Sequence, residues 1–119
     1  MKARPIFIVE DDRDIRENLQ DLLESEGYTV LAYENGKLAF DNLLQLEILP
    51  KMIFLDLMMP IMDGRTFLKE VQGVVKLQGI PIMVITAGVE KVEGKIVGMM
   101  KKPLDINELL RAVTKFSLD

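Results

Sequence analysis

Glu10, Asp11 and Asp12 follow the apolar run Ile6–Val9, Asp56 follows Met52–Leu55, Thr86 closes Ile82–Thr86, and Lys102 comes just after Met99 and Met100. Carboxylates, a hydroxyl and an ammonium spaced in this way suit phosphoryl transfer to a carboxylate. Setting Glu10, Asp11 and Asp56 together would put like charges roughly 4–6 Å apart, at a cost of about 1–4 kcal/mol per pair unless positive charge intervenes. A divalent cation and Lys102 would supply that charge. Mg²⁺ suits the inventory, because it accepts one or two carboxylates, a carbonyl and waters and leaves positions for phosphate oxygens. Asp56 would then attack phosphorus in line, with Lys102 and the Thr86 hydroxyl holding the equatorial oxygens. The product would be an acyl phosphate on Asp56.

Other chemistries are excluded by what is missing. The chain has neither His nor Cys, which removes Ser-His relays, His-ligated zinc, phosphohistidine, thiolate nucleophiles and disulfides. Its 119 residues, 49% hydrophobic, suffice for one buried core and fall short of two ordinary domains. Net charge is −4, with no long block of either sign, so direct nucleic-acid binding is not expected. No apolar run approaches the roughly 20 residues of a membrane span, and the N-terminus turns acidic too early for a secretory signal. A cytoplasmic protein is expected.

Several of these residues also have plainer readings. Asp12 and Asp14 precede a helical pattern and read as capping residues, and Asp63 before Gly64 reads as turn and cap chemistry. Glu10 and Asp11, taken alone, divide evenly between capping and metal binding; the rest of the rim favours metal. Asp56 at the end of an apolar strand is costly to bury without a purpose. The eight methionines read as adaptable packing, since a thioether is too soft for Mg²⁺.

The elements that would bring these groups together alternate between strand and helix. Strands are expected at Ile6–Val9, Tyr28–Ala32, Met52–Leu55, Ile82–Thr86 and Lys95–Met100, each a short apolar run of the kind found in parallel sheets. Helices are expected at Asp14–Glu26, with Ile15, Leu19, Leu22 and Leu23 on one face, and at Lys37–Leu46, with Leu38, Leu43 and Leu44. A third follows Gly64, and the last, Ile106–Phe116, presents Leu109, Leu110 and Val113 after Asp105 as N-cap. Only fifteen residues separate Thr86 from Lys102, so AGVEKVEG (87–94) has room for one or two helical turns. Right-handed crossovers favour a five-stranded parallel sheet in order 2-1-3-4-5. That order puts Glu10, Asp11, Asp56, Thr86 and Lys102 on one rim, at the carboxyl ends of the strands.

Four segments, IFIVEDD (Ile6–Asp12), IFLDLMMPIMDG (Ile53–Gly64), VITAG (Val84–Gly88) and KKPLD (Lys101–Asp105), resemble the motifs of the receiver domain of two-component response regulators. The resemblance runs from the first strand to the last helix. It implies a flavodoxin-like three-layer α/β sandwich with a shortened fourth helix, and a single receiver domain over residues 1–119 with no output domain after Phe116. By the same resemblance Asp56 is the phosphoacceptor, Glu10, Asp11, Asp56 and the Met58 carbonyl hold Mg²⁺, and Asp11 is a direct ligand. Thr86, Ala87 and Lys102 bind the phosphoryl group and switch with it, and the peptide before Pro103 is cis. The implied partners are a histidine kinase or histidine phosphotransfer protein and a downstream protein, with a homodimer left open. The implied role is phosphoacceptor signalling domain, not enzyme.

The chain departs from the family pattern at three places. Met99 stands where the family usually has an aromatic that changes rotamer with the switch Thr. The fourth helix is short, and Met58 and Gly88 replace polar residues that could position an attacking water. These departures raise a second expectation, a receiver-like adaptor that binds a partner without being phosphorylated. A haloacid-dehalogenase-like hydrolase would need a second Asp where Met58 stands, and a flavin module would need a phosphate cradle where the first loop offers acids.

Overall fold

The computed structural model describes residues 3–88 and 91–119. Its strands are β1 (Ile6–Val9), β2 (Val30–Tyr33), β3 (Met52–Asp56), β4 (Ile82–Thr86) and β5 (Gly98–Lys101). They form one parallel sheet in the order β2-β1-β3-β4-β5. The helices are α1 (Arg13–Ser25), α2 (Gly36–Gln45), α3 (Gly64–Gln72) and α4 (Ile106–Phe116), with a 3₁₀ turn at Val75–Leu77 that the sequence had not suggested.

Alternation along the strands builds two cores. Ile6, Ile8, Phe54, Met83, Ile85 and Met100 pack with Leu19 and Leu23 of α1 and Leu109 and Val113 of α4. Phe7, Val9, Ile53, Leu55 and Ile82 face the other way, onto Ala39 and Leu43 of α2 and Phe67, Leu68 and Val71 of α3. Every residue of β1 and β3 is buried, so these strands read as continuous apolar runs because helices cover both faces. The arrangement is the flavodoxin-like three-layer sandwich. Among the described residues no helix is long and apolar enough to cross a membrane.

Three sequence expectations are adjusted. β2 starts at Val30, not Tyr28, because Tyr28 completes the cap of α1: its N–H donates to Leu23 O while Gly27, at φ 92°, donates to Glu24 O. That paired 6→1 and 5→2 pattern is a Schellman motif, which uses the residues first read as strand. Leu38 is exposed, and α2 instead buries Gly36, Ala39 and Leu43. β5 begins at Gly98, because Lys95 O is taken by the Gln72 side chain and Ile96 packs against the α2/α3 core.

The crossover from β4 to β5 holds no helix among the described residues 87, 88 and 91–97. The one or two turns expected over 87–94 fall partly on Val89 and Glu90, which lie outside the described residues. Asp12, Asp63 and Asp105 cap α1, α3 and α4 by accepting from the N–H groups of Ile15, Thr66 and Glu108, as the plainer readings of Asp12 and Asp63 had it.

Candidate functional site

The parallel register lifts each reactive group to the carboxyl edge of the sheet. Glu10 extends β1 by one residue, its N–H donating to Tyr33 O at 3.0 Å. Asp56 ends β3 opposite Ile85, and Thr86 ends β4 opposite Lys101. The Lys102 N–H donates to Thr86 O at 2.8 Å, which holds the end of β5 against β4; the Lys102–Pro103 peptide is cis.

Burial sorts the acids. Glu10 and Asp56 are 0% and 3% exposed, whereas Asp11 is open to solvent. Each of the three offers an oxygen within 4.8 Å of the others. Lys102 Nζ lies 2.7 Å from Glu10 Oε1 and 3.6 Å from Asp56 Oδ1, so one ammonium serves two buried carboxylates. Burial comes first in raising the Asp56 pKa to about 8; neighbouring Glu10 adds to it, while Lys102 and the Met58 N–H oppose it. Burial works against the Lys102 charge, yet Glu10 and Asp56 outweigh it and hold that ammonium above its ordinary pKa. The cluster is thus short of positive charge.

That shortage tests the donor set for a cation. Glu10 Oε1 is buried, and the cation beside it is the Lys102 ammonium that also faces Asp56. A buried carboxylate oxygen whose neighbouring ammonium is shared with Asp56, beside two further carboxylate oxygens, fits a hard divalent ion that prefers oxygen ligands.

The loops around the cluster are fixed by the backbone. Met58 N–H donates to Asp56 Oδ1 at 3.3 Å, and Gly64 N–H to Leu57 O at 2.9 Å. A Cβ at Gly64 would stand 2.4 Å from Asp56 O and 2.6 Å from Leu57 Cα, so only glycine lets α3 start this close to the site. Between them, Met62 N–H donates to Pro60 O across Ile61, whose φ is 69°. This is a γ-turn of the strained hand, unusual for a β-branched residue. Asp63, capping α3, is held below the usual carboxylate range by the Thr66 N–H it accepts from.

Thr86 is buried, and its hydroxyl oxygen accepts from Gly88 N–H at 3.2 Å. Met99 lies on β5 opposite Val84 and is 38% exposed, and Met58 is 66% exposed. Ala87 directly follows Thr86 at the start of the crossover. Sequence reasoning overlooked Arg16. Its guanidinium donates to the carbonyls of Glu10 at 2.9 Å and Asp11 at 3.2 Å, pinning the acidic loop to α1. The only available signal was a cation on the first turn of the helix after the acidic pair, which by itself points to surface charge.

Comparison with known proteins identifies the family of the chain. The profile of the response regulator receiver domain family matches residues 6–114. An uncharacterized 14.6 kDa protein of Leptolyngbya boryana is 34% identical over 119 residues, covering 95% of this chain and 89% of that one. A CpxR-homologous transcriptional regulatory protein of Haemophilus influenzae is 31% identical over 91% of this chain, which spans 48% of that relative's length. Among solved structures, the signal receiver domain of a histidine kinase from Syntrophus aciditrophicus superposes with TM-score 0.87 at 28% identity, covering 96% of this chain and 89% of its own. The receiver domain of the sensor histidine kinase PA1611 of Pseudomonas aeruginosa, described with magnesium coordinated in its active-site cleft, shares the fold at TM-score 0.87 and 21% identity, over 97% and 98% of the two chains. A match running from β1 into α4, over a fold shared with receiver domains of known structure, makes this chain a member of the response regulator receiver domain family of two-component signalling.

Proposed function

We propose that this domain accepts a phosphoryl group on Asp56 from a phosphohistidine or a small acyl phosphate, and that the modified state alters its contacts with a partner protein. The observation that carries the reading is the buried Asp56 carboxylate, set beside Glu10 and Lys102 with Asp11 in reach and too little positive charge among them. An Asp56 oxygen attacks phosphorus, the bond from phosphorus to the donor nitrogen or oxygen breaks, and the donor leaves with that electron pair. Glu10, Asp11, Asp56 and the Met58 carbonyl would hold Mg²⁺, with Asp11 as the exposed direct ligand; the magnesium described in the PA1611 cleft supports this choice. The bound ion supplies the positive charge that lets a phosphate approach the acidic rim. Lys102 swings its charge from the two carboxylates to a phosphoryl oxygen. Thr86 exchanges the Gly88 N–H it accepts from for a phosphoryl oxygen to which its hydroxyl donates, and the Ala87 N–H would face that oxygen.

The donor would be a histidine kinase or phosphotransfer protein. A second reading, an adaptor that works unphosphorylated, is favoured by Met99 and by the helix-free described part of the crossover; the intact acidic cluster weighs against it. Intact-mass spectrometry after incubation with Mg²⁺ and acetyl phosphate decides between them. A Mg²⁺-dependent gain of one phosphoryl group, absent from Asp56→Asn and from a chelated control, is the expected result. No adduct, together with no Mg²⁺ binding, would favour the adaptor.

A further inference from the structure

Arg16 stands on the first turn of α1 with Asp11, Asp12, Asp14 and Glu17 close to it in sequence, yet among the described residues it joins no ion pair; Arg13 is the cation that takes Glu17. One nitrogen of its guanidinium turns back over the start of the helix and donates to Glu10 O at 2.9 Å and to Asp11 O at 3.2 Å. A cation brought to a helix N-terminus stands against the helix dipole. Asp12 already caps α1, and Asp11 is open to solvent, where water could serve its carbonyl equally well. The start of the helix therefore gains little from these two bonds.

What they fix is the acidic loop. The two carbonyls belong to the peptide planes on either side of Asp11. Holding both planes sets φ and ψ of Asp11, and with them the direction in which its carboxylate leaves the chain. The second plane is held at its other edge too, since the Asp12 N–H donates to Glu10 Oε2 at 3.3 Å. Among the described residues no donor reaches the Asp11 carboxylate itself, so its aim depends on the backbone.

We propose that Arg16 is a positioning residue that sets the preference of the carboxylate cluster for Mg²⁺ over larger divalent ions, by fixing the backbone from which Asp11 reaches the metal. This rests on the Mg²⁺ reading of Asp11 given above. Mg²⁺ demands near-ideal octahedral ligands at about 2.0–2.1 Å, whereas Ca²⁺ accepts irregular shells at about 2.3–2.6 Å. A loop free to drift costs the smaller ion more. Two other roles lead elsewhere. A guanidinium acting through charge alone repels either cation, so its loss would tighten both. One that serves only the fold would lower the melting temperature and leave both affinities of the folded protein unchanged.

The test is isothermal titration calorimetry of the full chain with MgCl₂ and with CaCl₂ at constant ionic strength, beside thermal melts in chelator that establish folding. Arg16→Gln should weaken Mg²⁺ binding about tenfold and Ca²⁺ binding less than about threefold, while Arg13→Gln changes the ratio of the two affinities by neither. Should Arg16→Gln fail to fold, Arg16→Lys decides, because it keeps the charge but loses the planar donor group, and its Mg²⁺ to Ca²⁺ ratio should fall in the same direction. An unchanged ratio in the folded variant, or tighter binding of both ions, would overturn the proposal. Asp11→Asn separates this from the reading it rests on. Wild-type protein that binds no Mg²⁺, or binds it as well after Asp11→Asn, would overturn both; binding that needs Asp11 but ignores Arg16 would overturn the role of Arg16 alone.

Discussion

Ionising Asp56 means placing a second negative charge beside Glu10 in a site that water barely reaches. Its folded pKa, about 8, lies above the ordinary 3.8, so between those values the native state holds a proton that the unfolded chain has lost. This group therefore destabilises the fold progressively as pH climbs through that window, and the loss levels off above it. Asp56→Asn carries no such charge. In chelator it should melt above the wild type at pH 8 and close to it at pH 4, as thermal denaturation at the two pH values will show. Met58, largely exposed, offers no polar group to orient a water toward a phosphoryl group on Asp56. Met58→Asn should shorten the phosphoryl lifetime about tenfold, the scale of positioning one reactant; decay followed by intact mass would read it, and an unchanged lifetime would count against the idea. At this scale Glu10, Asp56, Thr86 and Lys102 were legible because each polar residue interrupts or ends an apolar strand. Arg16 was not, because it acts on backbone carbonyls, which a sequence does not display.

Among the elements, the β3–α3 connection sets two backbone demands in opposite directions. At Gly64 the chain needs the absence of a Cβ: Gly64→Ala should cost about 1–3 kcal/mol as α3 and the Asp56 backbone are pushed apart. Ile61 has the reverse problem, a β-branched side chain at φ 69° that is 82% exposed and contributes little packing. Ile61→Gly should stabilise by about 1 kcal/mol, strain relief exceeding the added freedom of the unfolded chain. Chemical denaturation of the two variants checks both signs. Helix placement was legible from caps: Asp12, Asp63 and Asp105 all accept the N–H three residues on. Strand starts were less so. Tyr28 looked like strand because it is aromatic and adjoins an apolar run, but the Schellman cap of α1 took its N–H. Lys95 and Ile96 looked like strand for similar reasons and were drawn instead to Gln72 and the α2/α3 core.

The order β2-β1-β3-β4-β5 followed from strand count and crossover handedness, and it is this order that turns scattered residues into one site. Placing Glu10, Asp11 and Asp56 within 4.8 Å of one another makes the whole fold bear their repulsion, so a cation that relieves it should stabilise the molecule as a unit. Binding only to the native state adds RT ln(1 + [L]/Kd), about 2.7 kcal/mol at a hundredfold excess over Kd. The gain should also depend on pH in a definite direction. Below its folded pKa of about 8 Asp56 keeps its proton in the native state, so Mg²⁺ must displace that proton and gains least at low pH; as pH rises toward 8 that competition fades and the repulsion it relieves grows. Melts in chelator should therefore fall with pH through this window while melts in saturating Mg²⁺ stay flatter, so that the two curves diverge toward pH 8. In Asp56→Asn the divergence should shrink to what Glu10 and Asp11 alone sustain. Parallel curves for the wild type would mean that the three carboxylates, though gathered by the fold, do not share a cation.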